Sequence, residues 1–143
     1  MSQAVRLGII GAGASGKAHA AGAQASGGYK LVAAADLIPD RLKAMGDAPF
    51  KTANLEEQAE RLASDPTLDA VCICLPTHLH APIATAALKA GKHVLIELPP
   101  GPNSRDAKAI AKAAEKAGKV VLYSCVRRFG APEQSTRQAI EKG

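Results

Sequence analysis

The chain has 143 residues, 47% of them hydrophobic and 22% charged, with a net charge of +5. That length and balance fit one soluble globular domain with a sizeable core, and no apolar run approaches the roughly 18 residues of a membrane span. A nucleic-acid surface is also disfavoured, because Tyr29, Phe50, Tyr123 and Phe129 are scattered rather than interleaved with the basic residues.

In chain order, residues 5–10 form a short apolar run, interrupted by Gly8, that stops at Gly11. Residues 14–25 are alanine-rich and predict a helix. A second strand is predicted over 31–35, ending at Asp36, and a short helix over 39–45. Residues 55–63 carry Leu55, Ala59, Leu62 and Ala63 between charges, as an amphipathic helix does, and Asp65-Pro66 breaks it. Residues 70–75 (Ala-Val-Cys-Ile-Cys-Leu) are continuously apolar and predict a strand buried on both faces. A helix over 81–90 closes on Gly91, and a strand follows over 93–97. The next helix runs from an expected N-cap at Ser104 to Gly118. A last strand is predicted over 120–123 and a last helix over 132–141. Lys108, Lys112, Lys116 and Lys119 lie in or just after the 104–117 helix and read as a solvated face.

Strands alternating with helices predict βαβ units and an α/β fold: a doubly wound, parallel Rossmann sheet in a single domain. Three cysteines are too few for a disulfide framework and fit a reducing compartment. The first residues read as an immediate strand rather than a signal peptide, so a cytoplasmic protein is expected.

Residues 11–16 read Gly-Ala-Gly-Ala-Ser-Gly, a GxGxxG loop between a strand and a helix. Gly11 permits the tight turn, Gly13 leaves room for a pyrophosphate, and Gly16 lets the helix approach the strand. The N–H groups at the helix start, around Ala14 and Ser15, then meet the phosphate charge. Asp36 lies about twenty residues beyond the loop, at the end of the second strand. A carboxylate there accepts hydrogen bonds from the adenosine ribose and repels a 2′-phosphate, so the expected cofactor is NAD, with NADP less favoured.

With these motifs, and with Asp69–His80 (DAVCICLPTHLH), Ala90–Glu97 (AGKHVLIE), His19 and Arg128-Phe129, the sequence resembles the glucose–fructose oxidoreductase, inositol dehydrogenase and rhizopine-catabolism family over nearly its whole length. The resemblance implies an NAD(P)-dependent oxidoreductase acting on a small molecule. It places Leu75, Pro76 and Thr77 along the cofactor groove, and His80 at the start of the helix after them. Glu97 is implied near the nicotinamide ribose, and Arg128 near the nicotinamide and substrate. It also implies a division into a cofactor domain (1–124) and a connecting segment and helix (125–143) leading toward a substrate-binding domain that these residues do not include. No membrane or nucleic-acid partner is expected; a homo-oligomer is possible.

Leu98 departs from the family pattern, standing where a lysine would assist the reacting oxygen. A branch with Glu-aliphatic-Pro and a later Arg-Arg-Phe is similar here; it includes dehydrogenases of cyclic hemiacetals derived from ring-cleavage semialdehydes. Arg127 and Arg128 suit a carboxylate-bearing substrate. Alternative readings are a catalytically inactive dinucleotide-binding or sensing module, and the cofactor half of a two-chain enzyme. Cys72, Cys74, His78 and His80 invite a zinc reading, but no turn between them converges four ligands, and no metal is expected. Cys125 has no neighbouring base in sequence. His19 is read as a helix-face residue under the glycine loop, and His93 as a strand-end residue.

Overall fold

A computed structural model describes residues 4–45, 50–52 and 61–143. In chain order its elements are β1 (Val5–Ile10), α1 (Ala14–Ser26), β2 (Tyr29–Ala35), α2 (Pro39–Lys43), β3 (Phe50–Thr52), β4 (Ala70–Ile73), α3 (Thr77–Lys89), β5 (His93–Ile96), α4 (Ser104–Ala117), β6 (Val121–Tyr123), a 3-10 turn (Val126–Phe129) and α5 (Ala131–Lys142). The six strands form one sheet in the order β3-β2-β1-β4-β5-β6, with every neighbouring pair parallel. This is the strand order of a doubly wound dinucleotide fold, which reverses direction between β1 and β4.

Side-chain alternation along the central strands builds two cores. Ile10, Val71, Ile73, Val94 and Ile96 face one side, packed with Ala84, Leu88 and Ile110 from α3 and α4. Leu7, Ile9 and Cys72 face the other, packed with Ala20 of α1. All four residues of β4 are buried, as its continuous apolar run predicts. The expected amphipathic helix over 55–63 lies mostly outside the described residues. Its last part falls in a helical segment at 61–64, where Leu62 and Ala63 are buried.

Several boundaries differ from expectation. The helix expected over 81–90 begins four residues earlier, at Thr77, directly after Pro76, so its N-terminus reaches the strand end; the cost is the backbone bond that Pro82, inside the helix, cannot donate. Ser104 is not the N-cap of α4. That role belongs to Asn103, whose Oδ1 accepts from the backbone N–H of Arg105 (2.9 Å) and Asp106 (3.2 Å), a cap worth about 1 kcal/mol. Strand β3 was not anticipated: Phe-Lys-Thr carries no apolar run long enough to signal one.

The junction of β1 and β4 is pinned by an ion pair. Arg6 donates to Asp69 through Nε (3.0 Å), Nη2 (2.7 Å) and its backbone N–H (2.9 Å). These bonds hold the Asp69 carboxyl well below the usual carboxylate range. A depressed folded pKa stabilises the protein above the unfolded value of about 3.9, and that stabilisation is lost as pH falls through the folded value. Asp69→Asn is therefore expected to lower the melting temperature at pH 7. The gap from wild type should close progressively below about pH 4. Thermal melts across pH check this, and a gap that persists unchanged into strong acid would contradict it.

Candidate cofactor site

The carboxyl ends of five strands meet along one rim. Backbone bonds lace it together: Gly11 N–H donates to Ala35 (2.8 Å), Cys74 to Ile10 (2.8 Å), Glu97 to Ile73 (3.1 Å) and Ser124 to Ile96 (2.9 Å). The rim thus presents, in order, Asp36, the glycine loop, Cys74-Leu75, Glu97 and Ser124. Ligands of open α/β sheets bind at this edge, where the strand order reverses.

Each loop glycine has a separate reason. Gly11 has φ +97°, and a Cβ there would collide with the Cys74 carbonyl oxygen. At Gly16 a Cβ would collide with the Gly11 carbonyl oxygen, so α1 can cross β1 this closely only without a side chain. A Cβ at Gly13, in contrast, meets nothing within 4 Å. That open space lies at the N-cap of α1, which no side chain caps and whose first turn carries no acidic residue. Ala14 and Ser15 are exposed there. An uncapped helix start beside empty space, with a positive dipole end, is the cradle a pyrophosphate needs.

Asp36 is only 4% exposed. Its Oδ2 accepts from the Ala12 N–H (2.7 Å) and its Oδ1 from the Ile38 N–H (2.8 Å). The carboxylate therefore holds the glycine loop in place, a role the sequence reading lacked. Each carboxylate oxygen keeps a second acceptor position. Arg41, which that reading also missed, places Nη1 3.7 Å from Asp36 Oδ1 and is about half exposed.

On the other side of the reversal, Leu75 and Thr77 are half-buried and Pro76 is exposed, at the start of α3. His80 is buried, and its ring is tied on both sides: Nδ1 lies 2.7 Å from the Pro99 carbonyl oxygen and Nε2 lies 2.7 Å from that of Leu75. It clasps the loop after β4 to the loop after β5, which makes it a positioning group. Leu98 is 46% exposed. Next to it, Glu97 Oε1 accepts from His19 Nε2 at 2.6 Å, and Ser124 Oγ stands 3.4 Å from the same nitrogen. The pair spans 78 residues of sequence and ties α1 to the end of β5. His19 is thus more than a helix-face residue. His93 sits at the opposite end of β5, where its Nδ1 accepts from the Val120 N–H (3.1 Å).

Arg128 is exposed on the 3-10 turn and lines a separate depression with Phe129, Glu133 and Arg137. An apolar cavity of about 520 Å³ is also distinct from the rim: it runs along the α1 face toward the amino ends of the strands, walled by Leu7, Ala23, Leu95 and Leu122. Its apolar lining offers nothing to a pyrophosphate. The rim at the strand ends carries the matching groups and is the candidate site. Among the described residues, no helix is long and apolar enough to cross a membrane.

The strand order, the glycine loop and the acid after β2 define a dinucleotide-binding Rossmann domain. Residues 5–124 match the Gfo/Idh/MocA family, described as an oxidoreductase family with an NAD-binding Rossmann fold, and the chain belongs to that family. It is 31% identical over 97% of its length to 4-carboxy-2-hydroxymuconate-6-semialdehyde dehydrogenase of Sphingobium sp., covering 44% of that protein. It is 30% identical, again over 97%, to myo-inositol 2-dehydrogenase of Thermotoga maritima, covering 41%. The crystal structure of scyllo-inositol dehydrogenase from Lactobacillus casei with bound NAD(H) and scyllo-inositol superposes with a TM-score of 0.83 at 25% identity, over 99% of this chain and 42% of that one. The chain thus spans less than half the length of these relatives.

Proposed function

We propose that this chain is the cofactor-binding part of a dehydrogenase that transfers hydride between NAD and a small hydroxyl, sugar or cyclic hemiacetal substrate. The observation that carries the reading is the open space at Gly13 over an uncapped helix start, with the Asp36 carboxylate at the neighbouring strand end. The nicotinamide ring, when bound, supplies the hydride chemistry. The protein's share is placement. The amides around Ala14 and Ser15 hold the pyrophosphate, and Asp36 orients the adenosine ribose. Leu75, Pro76 and Thr77 wall the groove, and Glu97, fixed by His19, meets the nicotinamide ribose. His80 contributes by holding the Leu75 and Pro99 loops.

The Leu98 side chain carries no hydrogen-bond donor, so stabilisation of the reacting oxygen falls to another group. Hydride transfer also needs the substrate carbon held about 3–3.5 Å from the nicotinamide carbon. Arg127 and Arg128, both exposed beside one another, are the groups here suited to a carboxylate on the substrate. The 4-carboxy semialdehyde named in one relative supports a substrate of that kind. We assign 1–124 to the cofactor domain and 125–143 to a connection toward the substrate-binding part.

Preference for NAD follows from Asp36, since a buried carboxylate repels a 2′-phosphate. Fluorescence titration should show tighter binding of NADH than of NADPH. Asp36→Ala removes the repulsion and frees Arg41 for a phosphate, so NADH should weaken by about tenfold or more, in line with the loss of charge-assisted hydrogen bonds, and the gap to NADPH should narrow. Equal or tighter NADPH binding by the wild type overturns the assignment.

A further inference from the structure

We propose that His19, Cys72 and Cys74 form a binding site for a thiophilic divalent cation of the zinc type. The ligand atoms of the three residues lie within 4.8 Å of one another. The two sulfurs are 3.6 Å apart. Tetrahedral zinc with metal–sulfur bonds of about 2.3 Å requires sulfurs about 3.8 Å apart, so the pair already stands near the edge of that tetrahedron. Glu97 Oε1 adjoins the His19 ring at 2.6 Å.

The convergence is a product of the fold. Two positions apart in an extended segment, Cys72 and Cys74 share one face. The pairing of Ile9 with Cys72 sets that face beside β1, which α1 crosses on its way from the glycine loop. His19 is the α1 residue that arrives there. The four-ligand set suggested by sequence alone does not assemble, because His78 is exposed and His80 is engaged by two carbonyls.

Chemistry selects the class of ion. Two sulfurs and an imidazole favour zinc-like cations over magnesium or calcium, which want oxygen. As thiolates the two cysteines cancel the charge of a dication, so a complex in this half-buried place carries no net charge from its first three ligands. Because the ligating cysteines bind as thiolates, binding releases protons.

The inference does not depend on cofactor binding, and its test uses cations alone. Cobalt(II) is titrated into the reduced 143-residue protein. One equivalent should give the visible bands of tetrahedral cobalt and a near-ultraviolet thiolate charge-transfer band, and zinc should abolish both. Cys74→Ser and His19→Gln should each weaken cobalt binding at least about tenfold, the loss that removing even a ligand's supporting partner causes. Zinc should raise the melting temperature of wild type and not of either variant. Cys125→Ser, whose thiol is exposed and outside the cluster, should titrate like wild type. His19 is partly exposed, so His19→Gln keeps the test readable if the cysteine variant misfolds. Absence of the charge-transfer band in folded protein, its persistence in Cys74→Ser, or its loss in Cys125→Ser overturns the proposal.

Discussion

Replacing Gly13 by valine is expected to lower NADH affinity at least about a hundredfold, equivalent to about 2.7 kcal/mol, while far-UV circular dichroism and melting temperature stay near wild type. The two halves of that expectation have separate grounds. Gly13 has φ −71°, a backbone conformation any residue adopts. A Cβ there meets nothing within 4 Å, so the free protein accommodates the side chain. The same space is where the pyrophosphate must approach the amides of α1, and a branched side chain fills it. Isothermal titration of the folded variant decides the matter. Undiminished affinity would show that the dinucleotide lies elsewhere.

Gly16→Ala is expected to do the reverse, damaging the fold first. Helix propensity alone favours alanine by about 1 kcal/mol. Packing opposes it: the new Cβ would collide with the Gly11 carbonyl oxygen and lie 3.4 Å from Ile9 Cγ2. The obstacle is backbone within the loop and cannot turn aside as a side-chain tip would. The packing penalty, of about 3 kcal/mol or more, exceeds the propensity gain, and the melting temperature should fall by several degrees. NADH binding falls as well, because α1 and the loop must separate. An unchanged or raised melting temperature would mean that helix and strand do not depend on this close approach.

These two glycines show which parts of the fold were legible in the sequence. The loop, its flanking strand and helix and the acid after β2 are local signals, carried within one βαβ unit. The apolar run of β4 and the glycines that end α3 and α4, with φ +78° at Gly91 and +61° at Gly118, were legible for the same reason. What escaped was set by neighbours distant in sequence. Asp36 reads as a ribose acceptor, but its bond to the Ala12 N–H depends on β2 lying beside β1. His19 and Glu97 meet only because β5 joins the sheet next to β4 and α1 folds back over β1. Cys72 and Cys74 were read together with the histidines that follow them, yet the imidazole within 4.8 Å of both sulfurs is that of His19 on α1. Strand order was the missing quantity, and periodicity does not encode it. Both His19 and Glu97 were among the residues carrying the family resemblance, and that was the one available hint that they belong together. At the cap of α4, Asn103 and Ser104 are both good capping residues in succession, and only backbone geometry separates them.

On the function proposed, NAD lies across the strand ends between Asp36 and Glu97, with its pyrophosphate on the glycine loop. Amide chemical-shift mapping of the 15N-labelled chain during titration with NAD tests it most directly. The predicted result is saturable, one-to-one binding, with the largest shifts at the amides of residues 11–16, around Asp36 and Ile38, and at 74–77 and 97–98. Shifts confined to the apolar cavity on the α1 face or to α5, or no saturable shifts at all, would contradict it.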